Sequence, residues 1–311
     1  MNRFSQILQS LRTQPGYTLM RGAARFGTVR QLVGQSRRLI QRRRLEAYLL
    51  QCEAQLQDSV FAPLDRLGFV GRLRRDGVAF GLKLPQSMVA DILAFAKGNA
   101  CYADRQVGRG FRLDSRAAAE AELGKPILVA QYFNAVAECG AIGRLARDPL
   151  LQWIAGAYLQ SVPTFVGGNL WWTFPVQALA EDRDRHAHLF HRDVDDFRFF
   201  KFFFYLTDVE PGDGAHVCVL ASHRKPPVLG IADRWNLRRY SDDEIAERYG
   251  VDDIVEICGG AGTGFAENTL CVHKGMTPTR APRLLLQLQY ALFDYGVMHD
   301  RRSLSTLAML A

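Results

Sequence analysis

Residues 197–207 read Phe197-Arg198-Phe199-Phe200-Lys201-Phe202-Phe203-Phe204-Tyr205-Leu206-Thr207. In an extended strand, successive side chains point to opposite faces. The even positions then give Phe200, Phe202, Phe204 and Leu206, an unbroken apolar face that must meet a core. The odd positions give Phe199, Lys201, Phe203, Tyr205 and Thr207, a mixed face suited to lining a site. A membrane helix needs roughly 18 uninterrupted apolar residues, and this run, the most apolar in the chain, is too short and carries Arg198 and Lys201. It reads as a central strand.

Further strand-like segments lie around it, at 163–175, 187–193, 215–221, 254–258, 263–272 and 283–294, separated by Gly, Pro and Asp turns. The first half has a different character. Residues 42–57 and 88–97 have helical patterns, a short strand is expected at 76–82, and 115–160 is rich in Ala and Leu with helical spacing. Helices first and strands later, without βαβ alternation, predict an α+β domain built around an antiparallel sandwich or barrel. Ser241-Asp242-Asp243-Glu244 is a capping box, and Gly250 stands where its helix would end. Residues 224–253 are therefore expected to be a helical insertion between strands. Gly259-Gly260-Ala261-Gly262-Thr263-Gly264 is a turn and not a phosphate loop, because no helix follows it.

The chain has 311 residues, 48% hydrophobic and 23% charged, the composition of a packed globular protein. Its net charge of +7 is uneven: residues 1–45 hold ten arginines, no lysine and no acidic residue, leaving about −3 for 46–311. We therefore expect an Arg-rich arm over 1–45 ahead of a single domain over 46–311. The arm can pack on its own domain, or meet an acidic partner or anionic surface. Nucleic acid is not expected, since no aromatic–basic interleaving accompanies the charge. The six cysteines are scattered, with no C-x-x-C pair, and no secretory signal is visible, so free thiols in the cytoplasm are expected.

Chemistry is suggested by Phe190-His191-Arg192-Asp193. At a strand end, H-x-D aims an imidazole and a carboxylate at one point. A 2-His-1-carboxylate iron centre needs that pair plus a remote histidine, with positions left open. His273, closing the strand-like Thr269-Leu270-Cys271-Val272, suits the third place, and Arg283 ten residues on opens the next strand. A guanidinium there can bind a carboxylate through two parallel hydrogen bonds. Arg280 competes with Arg283 but sits in the turn-rich Met276-Thr277-Pro278-Thr279, so Arg283 is preferred. Tyr205 and Lys201 on the odd face are candidates to contact the co-substrate, unless Lys201 extends to water. Asn169 and Trp171 share a face of an earlier strand and are weaker candidates; Cys271 reads as core filler. His216 and His223 read as structural. His186 and His188 form a second pair, H-x-H, but a continuous strand would turn them away from His191 and Asp193.

These motifs resemble the phytanoyl-CoA dioxygenase-like family of Fe(II)/2-oxoglutarate oxygenases over roughly residues 73–291. The resemblance rests on Arg75-Asp76-Gly77-Val78, Leu84-Pro85-Gln86-Ser87, His191-Arg192-Asp193, Tyr205-Leu206-Thr207-Asp208-Val209 and Gly212-Asp213-Gly214, followed by Gly262-Thr263-Gly264-Phe265, His273-Lys274-Gly275 and Arg283-Leu284-Leu285-Leu286-Gln287. It implies a double-stranded β-helix, a cupin-like jelly-roll barrel with flanking helices mainly from the N-terminal half. It also implies Fe(II) on His191, Asp193 and His273, and the distal carboxylate of 2-oxoglutarate on Arg283. The activity implied is that of a dioxygenase hydroxylating a small-molecule or lipid-like substrate with O2, releasing succinate and CO2. The chain departs from the family at Leu220-Ala221-Ser222-His223, where Pro-Gly-Ser-His is usual. The rival expectation is a non-catalytic cupin-like protein that binds a metal or ligand. A lid role is expected for 224–253.

Overall fold

The computed structural model describes residues 13–178, 180–226, 238–296 and 298–310. In chain order the elements begin with α1 (Pro15–Ala24), α2 (Gly27–Ala54), α3 (Arg66–Asp76), β1 (Val78–Lys83), α4 (Gln86–Gly98), β2 (Cys101–Ala103) and β3 (Gly110–Phe111). There follow α5 (Arg116–Leu123), β4 (Val129–Tyr132), α6 (Ala135–Glu138), α7 (Gly140–Leu145), α8 (Pro149–Leu159) and β5 (Thr164–Thr173). The second half holds α9 (Ala180–Arg185), β6 (Phe199–Tyr205), β7 (His216–Val219), α10 (Asp242–Tyr249), β8 (Ile254–Ile257), β9 (Thr263–Glu267), β10 (His273–Gly275) and β11 (Arg283–Ala291).

The strands form two antiparallel sheets. The large one has eight strands in the order β1-β9-β6-β11-β5-β4-β2-β3, and the small one has three, β10-β7-β8. β6 lies inside the large sheet, between β9 and β11. Its two faces meet different surroundings. Phe200, Phe202 and Phe204 join the main core, with Leu284, Leu286 and Leu288 of β11 and the apolar faces of α3, α4 and α8. Each is fully buried, which is worth about 1.5–3 kcal/mol per side chain. Phe203 and Tyr205 face the other way, into the layer between the sheets with Trp171, Cys218, Phe265 and Leu285. The alternation read from 197–207 thus divides the helical core from the inter-sheet space.

Two expected strands are broken. Residues 187–193 form no strand: Ala187 has φ 65°, and only Phe190 and His191 make isolated bridges, to Tyr240 and His273. A left-handed non-glycine residue interrupts extended pairing. The expected strand 263–272 ends at Glu267, turns over 269–271, and re-emerges as β10 in the small sheet. His273 therefore opens a strand rather than closing one. The short strand β4 lies within 115–160, which reads as helical, and β2 and β3 lie just before it, where no strand is expected.

The capping box on α10 forms, Ser241 Oγ accepting from Glu244 N and Glu244 returning the bond to Ser241 N. The middle of the expected insertion, 227–237, lies outside the described residues, as do residues 1–12 of the expected arm. α2 runs unbroken across residue 45 and packs on α8: Gly156 approaches Leu49 and Tyr48 closely, and Gln41 accepts from Ser161 Oγ and Val162 N. No helix among the described residues is long and apolar enough to cross a membrane.

Candidate metal centre

The chain at 190–191 runs antiparallel beside β10. His191 and His273 exchange both backbone hydrogen bonds, each 2.9 Å, so their side chains sit side by side with ring centroids 4.2 Å apart. Asp193 N donates to Thr269 O, which brings its carboxylate to the same place. Asp193 Oδ1 lies 3.7 Å from His191 Nε2, and Oδ2 lies 3.6 Å from His273 Nε2. The backbone fixes which nitrogen of each ring is available. His191 Nδ1 bonds Leu189 O at 3.0 Å and His273 Nδ1 bonds Cys271 O at 2.9 Å, each two residues back. A carbonyl can only accept, so both Nδ1 atoms carry the proton and both Nε2 lone pairs face the carboxylate. Burial lowers the basicity of both imidazoles, keeping them neutral.

The donor set fits a divalent metal. One ligand atom from each of the three residues lies within 4.8 Å of the others. Adjacent ligands on bonds of about 2.1 Å at right angles stand about 3 Å apart, and the two histidine–carboxylate pairs, at 3.7 and 3.6 Å, lie within about 0.7 Å of that spacing. Burial opposes the charge of Asp193, but Lys201 beside it, with the two imidazoles, holds its carboxyl well below the usual carboxylate range.

The three residues line a cavity of about 490 Å³ between the sheets. Arg283 also lines it. Its Nη1 donates to Gly214 O, Nη2 donates to Thr173 Oγ1 at 3.3 Å, and Nε has no partner among the described residues. Arg280 is instead on the surface, bonded to Pro211 O and Glu210. Lys201 lines the cavity, but its ammonium is 2.6 Å from Asp193 Oδ2 and the residue is 7% exposed, so it does not extend to water. Tyr205 requires a correction. Its hydroxyl donates to Ile257 O (2.7 Å) and accepts from His216 N (2.9 Å), which spends it on the small sheet; it does not line the cavity.

His186 and His188 are also corrected: both line the cavity that holds His191 and Asp193, because the continuous strand assumed for them does not exist. His188 Nδ1 bonds Thr277 Oγ1 at 2.8 Å, and burial pushes its imidazole down to about 3. His216 lines the cavity too, but its Nε2 is 2.6 Å from Glu267 Oε2. His223 bonds Cys271 Sγ and Arg74 O, away from the site. Asn169 and Trp171 reach the cavity as their shared strand face implies, whereas Gln131, Gln287 and Arg105 were not foreseen. Gln287 was findable from its parity with Arg283 on one strand. Gln131 and Arg105 lie in a region where no strand was expected.

Asp104, Asp182 and His186 form a second buried group with metal-ligand atoms in reach of one another. Here Lys125 Nζ already sits 3.0 Å from Asp104 and 3.2 Å from Asp182, and Arg109 closes on Asp104 at 2.7 Å. The carboxylates are thus neutralised by side chains of the chain itself.

No protein-family description and no curated protein matches the sequence. Among solved structures, the chain is similar to the epimerase SnoN in complex with Fe3+, alpha-ketoglutarate and nogalamycin RO. The TM-score is 0.51 at 18% identity, over 72% of this chain and 82% of that one. It is also similar to HygX from Streptomyces hygroscopicus with nickel, 2-oxoglutarate and hygromycin B bound, with TM-score 0.50 and 14% identity over 72% of this chain and 86% of that one. At these identities the likeness is one of fold.

Proposed function

We propose that the protein is an Fe(II)- and 2-oxoglutarate-dependent oxygenase of a small-molecule substrate, built on a double-stranded β-helix of the phytanoyl-CoA dioxygenase-like kind. The observation that carries this reading is the convergence of two Nε2 lone pairs and one carboxylate on a buried point beside Arg283. The metal, Fe3+ or nickel, and 2-oxoglutarate named with the two structural relatives agree with it.

His191, Asp193 and His273 would hold Fe(II), and Arg283 would bind the distal carboxylate of 2-oxoglutarate. The chemistry such a centre supplies is activation of O2, coupled to decarboxylation of 2-oxoglutarate to succinate and CO2, with oxidation of a substrate C–H bond. The chain's own contribution is positional. The carbonyls of Leu189 and Cys271 hold the imidazoles in one tautomer, as neighbours outside the ligand set do at metal sites. Lys201 holds one oxygen of Asp193 and leaves the other for coordination. Arg283, with Nε free of partners among the described residues, keeps a donor for an incoming carboxylate. Phe203, Trp171 and Leu285 wall the cavity with apolar surface and exclude water.

The test is succinate release by the purified chain given Fe(II), 2-oxoglutarate and O2, without added substrate. Slow release, abolished in His191→Ala and His273→Ala with the fold intact, is expected. Tight metal binding without succinate would favour the binding-protein reading.

A further inference from the structure

Besides Arg283, three arginines reach the cavity beside the metal centre, each against an aromatic ring: Arg21 on Tyr17, Arg302 on Phe133 and Arg105 on Trp171, the last at 5.6 Å. Two of them are occupied. Arg21 donates to Val194 O and lies 3.7 Å from Asp195, and Arg302 donates to His299 O and Arg301 O. Arg105 differs: among the described residues its guanidinium makes no hydrogen bond and no ion pair; the residue is exposed, but burial lowers the guanidinium pKa to about 10 against the pull of Asp193. A guanidinium with five donors, placed over an indole and without a hydrogen-bond partner among the described residues, is arranged to receive a ligand.

The backbone beneath it is held at a cost. Asp104 and Arg105 have φ of 55° and 60°, the two central residues of the turn closed by Gln106 N on Ala103 O. Two consecutive non-glycine residues in that region cost of order 1 kcal/mol each. Asp104 secures the turn: its buried carboxylate meets Arg109 at 2.7 Å, Lys125 at 3.0 Å and His186 at 3.4 Å. The second carboxylate cluster thus clamps a strained turn whose next residue faces the cavity.

We propose that Arg105 is a specificity-determining residue that binds an anionic oxygen group, a carboxylate or phosphate, on the substrate. This rests on the oxygenase reading for the word substrate, while the anion site stands on Arg105 alone. Gln131 and Asn169, joined at 2.9 Å on the same wall, add polar surface suited to hydroxyl groups. The favoured substrate is then a polar anionic small molecule, not an acyl chain.

The test uses the metal-free full chain and isothermal titration calorimetry with inorganic phosphate and with acetate at low ionic strength, the stronger anion marking which group is preferred. Saturable binding is expected in the wild type. It should weaken at least about tenfold in Arg105→Gln, as loss of a charge-assisted pair implies, and be partly kept in Arg105→Lys. Asp104→Asn should weaken it by releasing the turn. Arg105→Gln should melt like the wild type, since the guanidinium makes no hydrogen bond or ion pair among the described residues. No saturable binding in the wild type, or equal binding in Arg105→Gln, would overturn the proposal. A second arm measures 2-oxoglutarate affinity in the Ni(II)-loaded chain. It should be unchanged in Arg105→Gln and weakened in Arg283→Gln; loss in Arg105→Gln would assign Arg105 to the co-substrate and overturn the substrate assignment. If the wild type takes up neither nickel nor 2-oxoglutarate, the oxygenase reading fails, and the phosphate titration still decides the anion site.

Discussion

Lys201 shares Asp193 with the candidate metal, and the competition has a sign. Its ammonium neutralises a carboxylate in a cavity where burial favours the neutral acid. Replacing it with Met leaves the partly buried Asp193 without its cation, which should destabilise the metal-free protein by less than the roughly 3 kcal/mol of a fully buried pair. It also removes a positive charge a few ångströms from any bound dication, so metal should bind more tightly. Nickel is therefore expected to raise the melting temperature more in Lys201→Met than in the wild type; a smaller rise would show that Lys201 orients the carboxylate for the metal. At the co-substrate end, Arg283→Gln should raise the 2-oxoglutarate requirement at least about tenfold. Arg280→Gln should leave it unchanged, because Arg280 is exposed and engaged with Glu210. An effect in Arg280→Gln alone would reverse that assignment. His191, Asp193, His273 and Arg283 were legible because each sits in a short motif whose spacing survives local irregularity. His186 and His188 were misplaced because parity holds only along an unbroken strand, and Ala187 breaks it.

Local devices were easier to read than changes of sheet. The capping box of α10 involves residues three apart and forms as written. The passage from β9 to β10 does not: the chain leaves one sheet and enters another through a turn at 269–271, and no Gly or Pro between 268 and 272 marks the break. The loop at 220–223 shows the reverse. Where the family that the sequence resembles has Pro-Gly, Ala221 adopts φ 54°, the region glycine enters without steric cost. Ala221→Gly should accordingly stabilise the protein by about 0.5–1 kcal/mol, seen as a raised urea midpoint with an unchanged slope. A lowered midpoint would mean that the Cβ contacts outweigh the backbone strain.

In the whole molecule, two sheets and a helical layer share the large sheet, and the Arg-rich segment is part of that layer. α2 is joined to α8 through Gln41, which accepts from Ser161 Oγ and Val162 N, and through Glu53, which accepts from Trp153 Nε1. Arginine count signalled an arm, but the helix packs through Gly34, Gln41 and Cys52, its buried positions, while Leu32, Leu39 and Ile40 between the arginines are exposed. Gln41→Ala leaves a buried amide and hydroxyl unsatisfied and should cost about 1–3 kcal/mol in global stability. Asp196 sets a pH dependence of the whole fold. Burial raises its carboxyl to about 7, against backbone hydrogen bonds that favour the charge. A carboxyl whose folded pKa lies above its unfolded value of about 3.9 stabilises fully below that value. That contribution is lost as pH rises to about 7, with a slope of at most about 1.4 kcal/mol per pH unit. Asp196→Asn should flatten the stability curve across that window; parallel curves for mutant and wild type would contradict the assignment.

The most direct measurement is a crystal structure of the full chain soaked anaerobically with Ni(II) and 2-oxoglutarate. One metal ion bound by His191 Nε2, Asp193 and His273 Nε2, with the distal carboxylate of 2-oxoglutarate on Arg283, is the predicted result. A metal ion held by Asp104, Asp182 and His186, or a cavity that takes up neither ion nor co-substrate, would contradict it.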